Sequence, residues 1–208
     1  MIELREALAE NPLIAILRGL EPDNVEAVAD VLVDAGFKII EVPLNSPEPL
    51  VSISKIVQRH GESVIVGAGT VLTAADVDAV AEVGGRIIVA PNMNPEVGRA
   101  AVKLGVSWCP GVMTPTEAFA ALDIGASVLK FFPAEIVPPS AISAMRAVLP
   151  KSAFVAAVGG IAPNTMAPYR AAGTDGFGLG SALFRPDYSL EDISTRAQAF
   201  VSALEELA

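Results

Sequence analysis

The chain reads as an α/β protein, a closed (β/α)8 TIM barrel formed by residues 1–208 as a single domain. Three observations predict this. Short apolar segments with strand character recur eight times, stretches of helical periodicity separate them, and the apolar segments are nearly continuous along their length. Parallel strands covered on both faces have that last property, and eight strand and helix units in a chain of this size suit a closed barrel. A doubly wound open sheet is the alternative arrangement of the same units. No linker-like segment divides the chain.

The first strand is expected at 13–19 (LIAILRG), followed by a helix behind Pro22 in which Val25, Val28 and Leu32 share a face and Gly36 is the stop. A second strand at 37–44 (FKIIEVPL) leads into a helix behind Pro47 and Pro49, with Leu50, Ile53 and Val57 at helical spacing and a stop at Gly61. Strand three, 63–70 (SVIVGAGT), precedes a helix whose start pairs Thr73 with Asp76, the spacing of a capping box, and whose stop is Gly84. Strand four is 86–92 (RIIVAPN), and the helix after it ends at Gly105. Strand five, 106–111 (VSWCPG), runs toward Thr114, Pro115 and Glu117, which are a cap, a first-turn proline and a reciprocal acid; Gly125 closes that helix. Strands six and seven are 128–134 (VLKFFPA) and 153–160 (AFVAAVGG). Pro168 interrupts the pattern at 163–172, so a short or kinked helix is expected there, ending at Gly173. Strand eight, 176–181 (GFGLGS), is followed by a helix opening at Ser189 and Asp192.

Composition excludes several classes of function. The chain is 52% hydrophobic, yet no apolar run approaches the roughly 20 residues of a membrane span. The segment Met1 to Glu6 carries acids and no basic stretch leading into an apolar one, so a secretory signal is not supported and the cytoplasm is the default location. A single cysteine, Cys109, excludes an intrachain disulfide, and with His60 as the sole histidine no Cys/His metal cluster can assemble. Neither a metal nor a cofactor is expected. The net charge of -10 repels nucleic acid and anionic membrane, while local amides and arginines can still hold a small anion.

Lys130 is the most informative residue. It sits among Val128, Leu129, Phe131 and Phe132 where a strand belongs, whereas Lys38, Lys55, Lys103 and Lys151 occupy positions suited to solvated charge. An ammonium desolvated in that setting loses its proton more readily and supplies a nucleophilic amine near neutral pH. Snorkelling from a strand end, or pairing with Glu135, are the structural alternatives. Glu41 is likewise enclosed, in Ile39-Ile40-Glu41-Val42-Pro43, and burial would raise its pKa into a range useful for proton transfer; a structural acid paired with Lys38 or Arg18 is the other reading.

The C-terminal strand ends of a barrel gather the active site, and there this chain carries Arg18, Asn45, Thr70 and Asn92 together with Lys130 and Glu41. Arg18 can clamp a carboxylate or satisfy strand-end carbonyls. Thr70 closes Gly67-Ala68-Gly69-Thr70, where small residues admit a ligand to the backbone. Gly159-Gly160 and Gly178-Leu179-Gly180-Ser181 end the last two strands, the usual place for a barrel phosphate site. His60, followed by Gly61, reads as a helix C-cap, and Trp108 and Cys109 as core. Phe131 and Phe132 must point to opposite faces of their strand. Together the set suits Schiff-base chemistry on a phosphorylated keto acid, the small-molecule partner expected.

These motifs resemble, over essentially the whole chain, the 2-keto-3-deoxy-6-phosphogluconate and 6-phosphogalactonate aldolase family. The likeness rests on Ala15-Ile16-Leu17-Arg18-Gly19, Ile40-Glu41-Val42-Pro43-Leu44, Gly67 to Val71, Lys130-Phe131-Phe132-Pro133-Ala134, Val158-Gly159-Gly160-Ile161 and Gly178-Leu179-Gly180-Ser181. It implies a metal-independent class I aldolase with Lys130 forming the Schiff base, Glu41 as acid and base, and Arg18 and Thr70 holding the carboxylate end. Gly160, Gly180 and Ser181 would hold phosphate, and a homotrimer is implied. The chain looks closer to the phosphogalactonate branch: Asn45 stands where the other branch has arginine, and Val158 where it has threonine. Ala90-Pro91-Asn92 replaces the usual Ser-Pro-Gly. Phosphogluconate or dual specificity, a phosphosugar isomerase or epimerase, and a non-catalytic phosphosugar-binding barrel are the alternatives.

Overall fold

The computed structural model describes residues 1–207. Its first element is a helix absent from the sequence expectation, α1 (Leu4–Glu10). The barrel then begins with β1 (Leu13–Ile16), α2 (Val25–Asp34), β2 (Ile39–Pro43), α3 (Pro49–His60), β3 (Ile65–Gly69), α4 (Ala74–Glu82), β4 (Ile87–Val89) and α5 (Pro95–Leu104). It continues through β5 (Ser107–Cys109), β6 (Gly111–Val112), α6 (Pro115–Ile124), β7 (Leu129–Phe131), α7 (Pro139–Arg146), β8 (Val155–Val158), α8 (Met166–Ala171), β9 (Gly176–Leu179) and α9 (Leu190–Glu205).

All the strand pairings are parallel, in the order β5-β4-β3-β2-β1-β9-β8-β7-β6. The expected strand 106–111 is thus two short strands, one bonded to β4 and the other to β7. Pro110 causes the split, because it has no N–H to give to a ladder. Its carbonyl still accepts from Lys130 N at 3.0 Å, and the chain itself joins β5 to β6, closing the (β/α)8 circuit.

The capping boxes stand where the sequence places them. Thr73, Thr114 and Ser189 accept hydrogen bonds from the backbone of Asp76, Glu117 and Asp192, whose carboxylates reach back to the caps. Around Pro168, residues Pro163–Thr165 make a 3-10 turn and α8 has only 6 residues, the short helix expected. Gly36, Gly84, Gly105, Gly125 and Gly173 turn the chain with positive φ. Gly61 does not: it caps α3 at φ -62, and its stop comes from the turn after it. His60 is the last residue of α3 instead of its cap, with Nε2 2.7 Å from Asp30 Oδ1.

Period-two alternation separates two cores. Leu13, Ala15, Ile40, Val42, Trp108, Leu129, Phe131, Ala157 and Phe177 face the helices, while Ile14, Ile16, Ile39, Ile65, Ile87, Cys109, Val128, Ala156 and Val158 fill the barrel. Leu4, Ala7 and Leu8 of α1 belong to the interior cluster and cover the N-terminal end of the barrel. By the same alternation, the side chains at positions 41 and 130 share a direction with Ile39 and Val128, into the barrel.

Candidate active site

Glu41 and Lys130 are 2% and 7% exposed, the deepest charged groups in the barrel. Small residues make space around them. Glu41 is level with Gly67 on β3, Lys130 with Gly111 on β6 and Ala156 on β8. A Cβ at Gly69 would overlap the Glu41 carboxylate, so that glycine is required by the acid beside it. None of the three ion pairs considered for these residues forms among the described residues: Lys38 Nζ lies 3.0 Å from Glu10, Arg18 Nη1 donates to Asn45 Oδ1 at 2.9 Å, and Lys130 makes no salt bridge with Glu135.

Burial raises the Glu41 carboxyl to about 7, with the positive charges of Lys130 and Arg18 opposing the shift only in part. Burial also lowers the Lys130 pKa, against the opposing pull of Glu41, while Arg18 adds to the lowering. Near neutral pH this acid can both take and give a proton, and the amine is biased toward its nucleophilic form. Glu41 Oε2 is buried without a hydrogen-bond partner among the described residues. An acid placed for structure would be expected to have one. The Lys130 ammonium lies 4.6 Å from the centre of the Phe132 ring, a contact that follows from Phe132 sharing its face of the strand. Cys109 is buried in the same interior, and burial pushes its thiol up to about 12, so it stays protonated and unreactive.

The rim brings the other expected residues to the same end. Arg18 follows β1 and Thr70 follows β3 at φ 57, a left-handed conformation unusual for a β-branched residue. The loop after β2 is tied to the loop after β1 twice: by Arg18 and Asn45, and by Gly19 N donating to Ser46 Oγ at 3.0 Å. Gly159 and Gly160 turn consecutively at φ 107 and φ 64 after β8. Gly180 O accepts from Leu183 N and Phe184 N, forming a single helical turn that starts at Ser181. The amides of Gly160, Ile161, Ser181 and Ala182 have no acceptor among the described residues, and so form a cradle of free donors. Val158 faces the interior beside Gly178, where a Cβ would stand 2.7 Å from the Val158 side chain.

Three contributors were missed from sequence. In sequence Ser46 is not singled out, Phe132 has only a strand face opposite to that of Phe131, and Glu135 is only a possible partner of Lys130. Glu135 instead lies across Gly159 and Gly160, and its turn is held by Tyr169 Oη donating to Ala134 O at 2.7 Å. A separate cavity of about 1020 Å³ opens beside α1 at the other end of the barrel, lined by Leu4, Leu8, Ser127 and Phe154 among others; neither Lys130 nor Glu41 borders it.

Fold and site together define a barrel enzyme equipped for lysine and carboxylate chemistry at its C-terminal mouth. The profile of the family described as Aldolase: KDPG and KHG aldolase matches residues 4–195. The chain belongs to that family and is an aldolase. It is 50% identical to the probable 2-dehydro-3-deoxy-6-phosphogalactonate aldolase of Rhizobium meliloti (strain 1021) over 94% of this chain and 92% of that protein. Against the 2-dehydro-3-deoxy-6-phosphogalactonate aldolase of Escherichia coli (strain K12) the identity is 48%, over 94% and 95%. A solved structure described as native KDPGal superposes with a TM-score of 0.93 at 48% identity, covering 94% of this chain and 95% of that one.

Proposed function

We propose that this aldolase cleaves 2-dehydro-3-deoxy-6-phosphogalactonate to pyruvate and D-glyceraldehyde 3-phosphate, with Lys130 as the Schiff-base residue. The observation that carries the reading is the enclosure of one amine and one carboxyl in the same barrel interior, each with its pKa moved by burial toward neutrality. The names of the two relatives at about half identity support the galactonate substrate.

The neutral Lys130 amine adds to the C2 ketone, and protonated Glu41 gives its proton to the departing hydroxyl, so that water leaves, an iminium forms and Glu41 becomes the carboxylate. Glu41 takes the proton of the C4 hydroxyl, the C3–C4 bond breaks, and its electron pair flows toward the iminium nitrogen to leave an enamine. The aldehyde departs with its phosphate. Glu41 returns a proton to C3, and hydrolysis of the resulting iminium frees pyruvate, restores the neutral amine and gives the released proton back to Glu41. Arg18 and Thr70 hold the carboxylate end, and Gly159, Gly160, Gly180 and Ser181 receive the phosphate through backbone amides.

Residues 1–208 act as one catalytic unit, assembled as a cytoplasmic homotrimer. The exposed apolar side chains of Val102 and Leu104 on α5 and of Phe119 on the adjacent α6 support a protein interface there. Light scattering should give three times the chain mass. No helix among the described residues is long and apolar enough to cross a membrane.

Pyruvate with borohydride tests the mechanism, since reduction fixes the iminium and peptide mass mapping locates it. Label on Lys130, and loss of both label and cleavage in Lys130→Ala, is expected. Survival of cleavage in that variant, or its loss when wild type is treated with EDTA, would require a different mechanism.

A further inference from the structure

The cradle that should receive the phosphate already faces an anion of the protein. Glu135 follows β7 on the 3-10 turn Ala134–Ile136, and its side chain lies over both positive-φ glycines at the end of β8. A Cβ at Gly160 would come within 2.6 Å of Glu135 Cγ and 3.1 Å of Oε1, and one at Gly159 would meet Oε2. The glycines are therefore required twice, by their backbone angles and by the carboxylate resting on them. No ion pair among the described residues neutralises Glu135. Tyr169 fixes the turn that carries it through the carbonyl of Ala134, so the acid does not reach this place on a free loop.

We infer that Glu135 is a charge filter on the phosphate end of the site. Its carboxylate opposes any anion approaching the amides of Gly160 and Ile161, so a phosphate must displace the acid or bind against its charge. The inference rests on the reading of this cradle as the phosphate site. It also names a use: the opposing charge hinders inorganic phosphate from occupying an idle enzyme and speeds departure of the phosphorylated aldehyde after cleavage. The pyruvate end, held by Lys130 and Arg18, would be indifferent to it.

The effect of one charge on a dianion at a solvent-exposed rim is modest, roughly three- to tenfold in binding. Inorganic phosphate is the probe, measured as a competitive inhibitor of cleavage in wild type, Glu135→Gln and Glu135→Ala. Both variants should bind phosphate three- to tenfold more tightly, with a lower KM for the phosphorylated substrate and an unchanged rate of Lys130 labelling by pyruvate and borohydride. Unchanged or weaker phosphate inhibition in Glu135→Gln overturns the inference, as does tightening in Glu135→Ala alone, which would make the side chain a steric cover. Absence of phosphate inhibition in every form, with pyruvate labelling intact, would instead show that the cradle is not a phosphate site.

Discussion

Replacing Glu41 with glutamine should remove a loss of stability that the wild type suffers as pH rises to neutral, while disabling the protein. The side chain is buried, and its pKa is raised from 4.5 to about 7 chiefly by desolvation. In the unfolded chain it ionises near its ordinary value, so between those two pH values the folded state holds a proton that the unfolded state has lost. Stability must therefore fall as pH rises through this window. At about 1.4 kcal/mol per pH unit, the loss amounts to about 3 kcal/mol, absent below pH 4.5 and complete above pH 7. Glutamine keeps the shape and cannot ionise, and its amide costs the same at every pH. Urea unfolding of wild type and Glu41→Gln at about pH 4.5 and about pH 8.5 should thus show the difference between them growing by up to about 3 kcal/mol in favour of the variant. Turnover should fall by about 10²-fold or more, the scale of a positioned acid and base. A stability difference that does not change with pH would refute the buried-acid argument, and near-normal turnover would reduce Glu41 to a structural group.

Asn45→Ala removes the partner of Arg18, and loss of one exposed hydrogen bond to a charged group should raise the KM for substrate about three- to tenfold with kcat nearly unchanged. Steady-state kinetics with Asn45→Asp as the control would show whether an acceptor at this position restores the KM. Val158→Thr places a hydroxyl on the interior face beside Gly178, and a matched or unmatched polar contact of about 1–3 kcal/mol should move the ratio of specificity constants about ten- to hundredfold toward the gluconate epimer. An unchanged ratio, measured with both epimers, removes Val158 from substrate choice. Ser181→Asp should raise KM about tenfold for the phosphorylated substrate and little for an unphosphorylated keto acid, through like-charge repulsion; equal losses would point to general damage.

Lys130 and Glu41 stood out in sequence because ionisable residues inside apolar strand segments break a pattern set by the hydrophobic effect, and strand parity then carries both into the barrel. The capping boxes at Thr73, Thr114 and Ser189 were legible for a similarly local reason, since donor and acceptor lie within one turn. What escaped was short or long-range. Helix α1 has 7 residues and is capped by Glu3, a residue outside the usual cap set, so only its packing against the barrel identifies it. Pro110 was visible, but not that neighbouring strands would divide the segment on either side of it. Arg18 with Asn45, and Glu135 over Gly159 and Gly160, join loops from different strands, and no local spacing encodes such contacts.

Ile14, Ile39, Ile65 and Val128 fill the barrel one layer below Glu41 and Lys130, and Leu4, Ala7 and Leu8 cover its far end, so that the site is a well with that layer as its floor and one mouth. Under the proposed reaction, the keto end of the substrate reaches Lys130 near the bottom while the phosphate stays at the rim with Gly160 and Ser181. Traffic through such a well is ordered by depth. The aldehyde fragment, uppermost, must leave before pyruvate can follow, and in the condensing direction pyruvate must descend first, with the aldehyde closing the way out behind it. A packed apolar floor thereby imposes a last-in, first-out sequence on reactants whose chemistry lies above it.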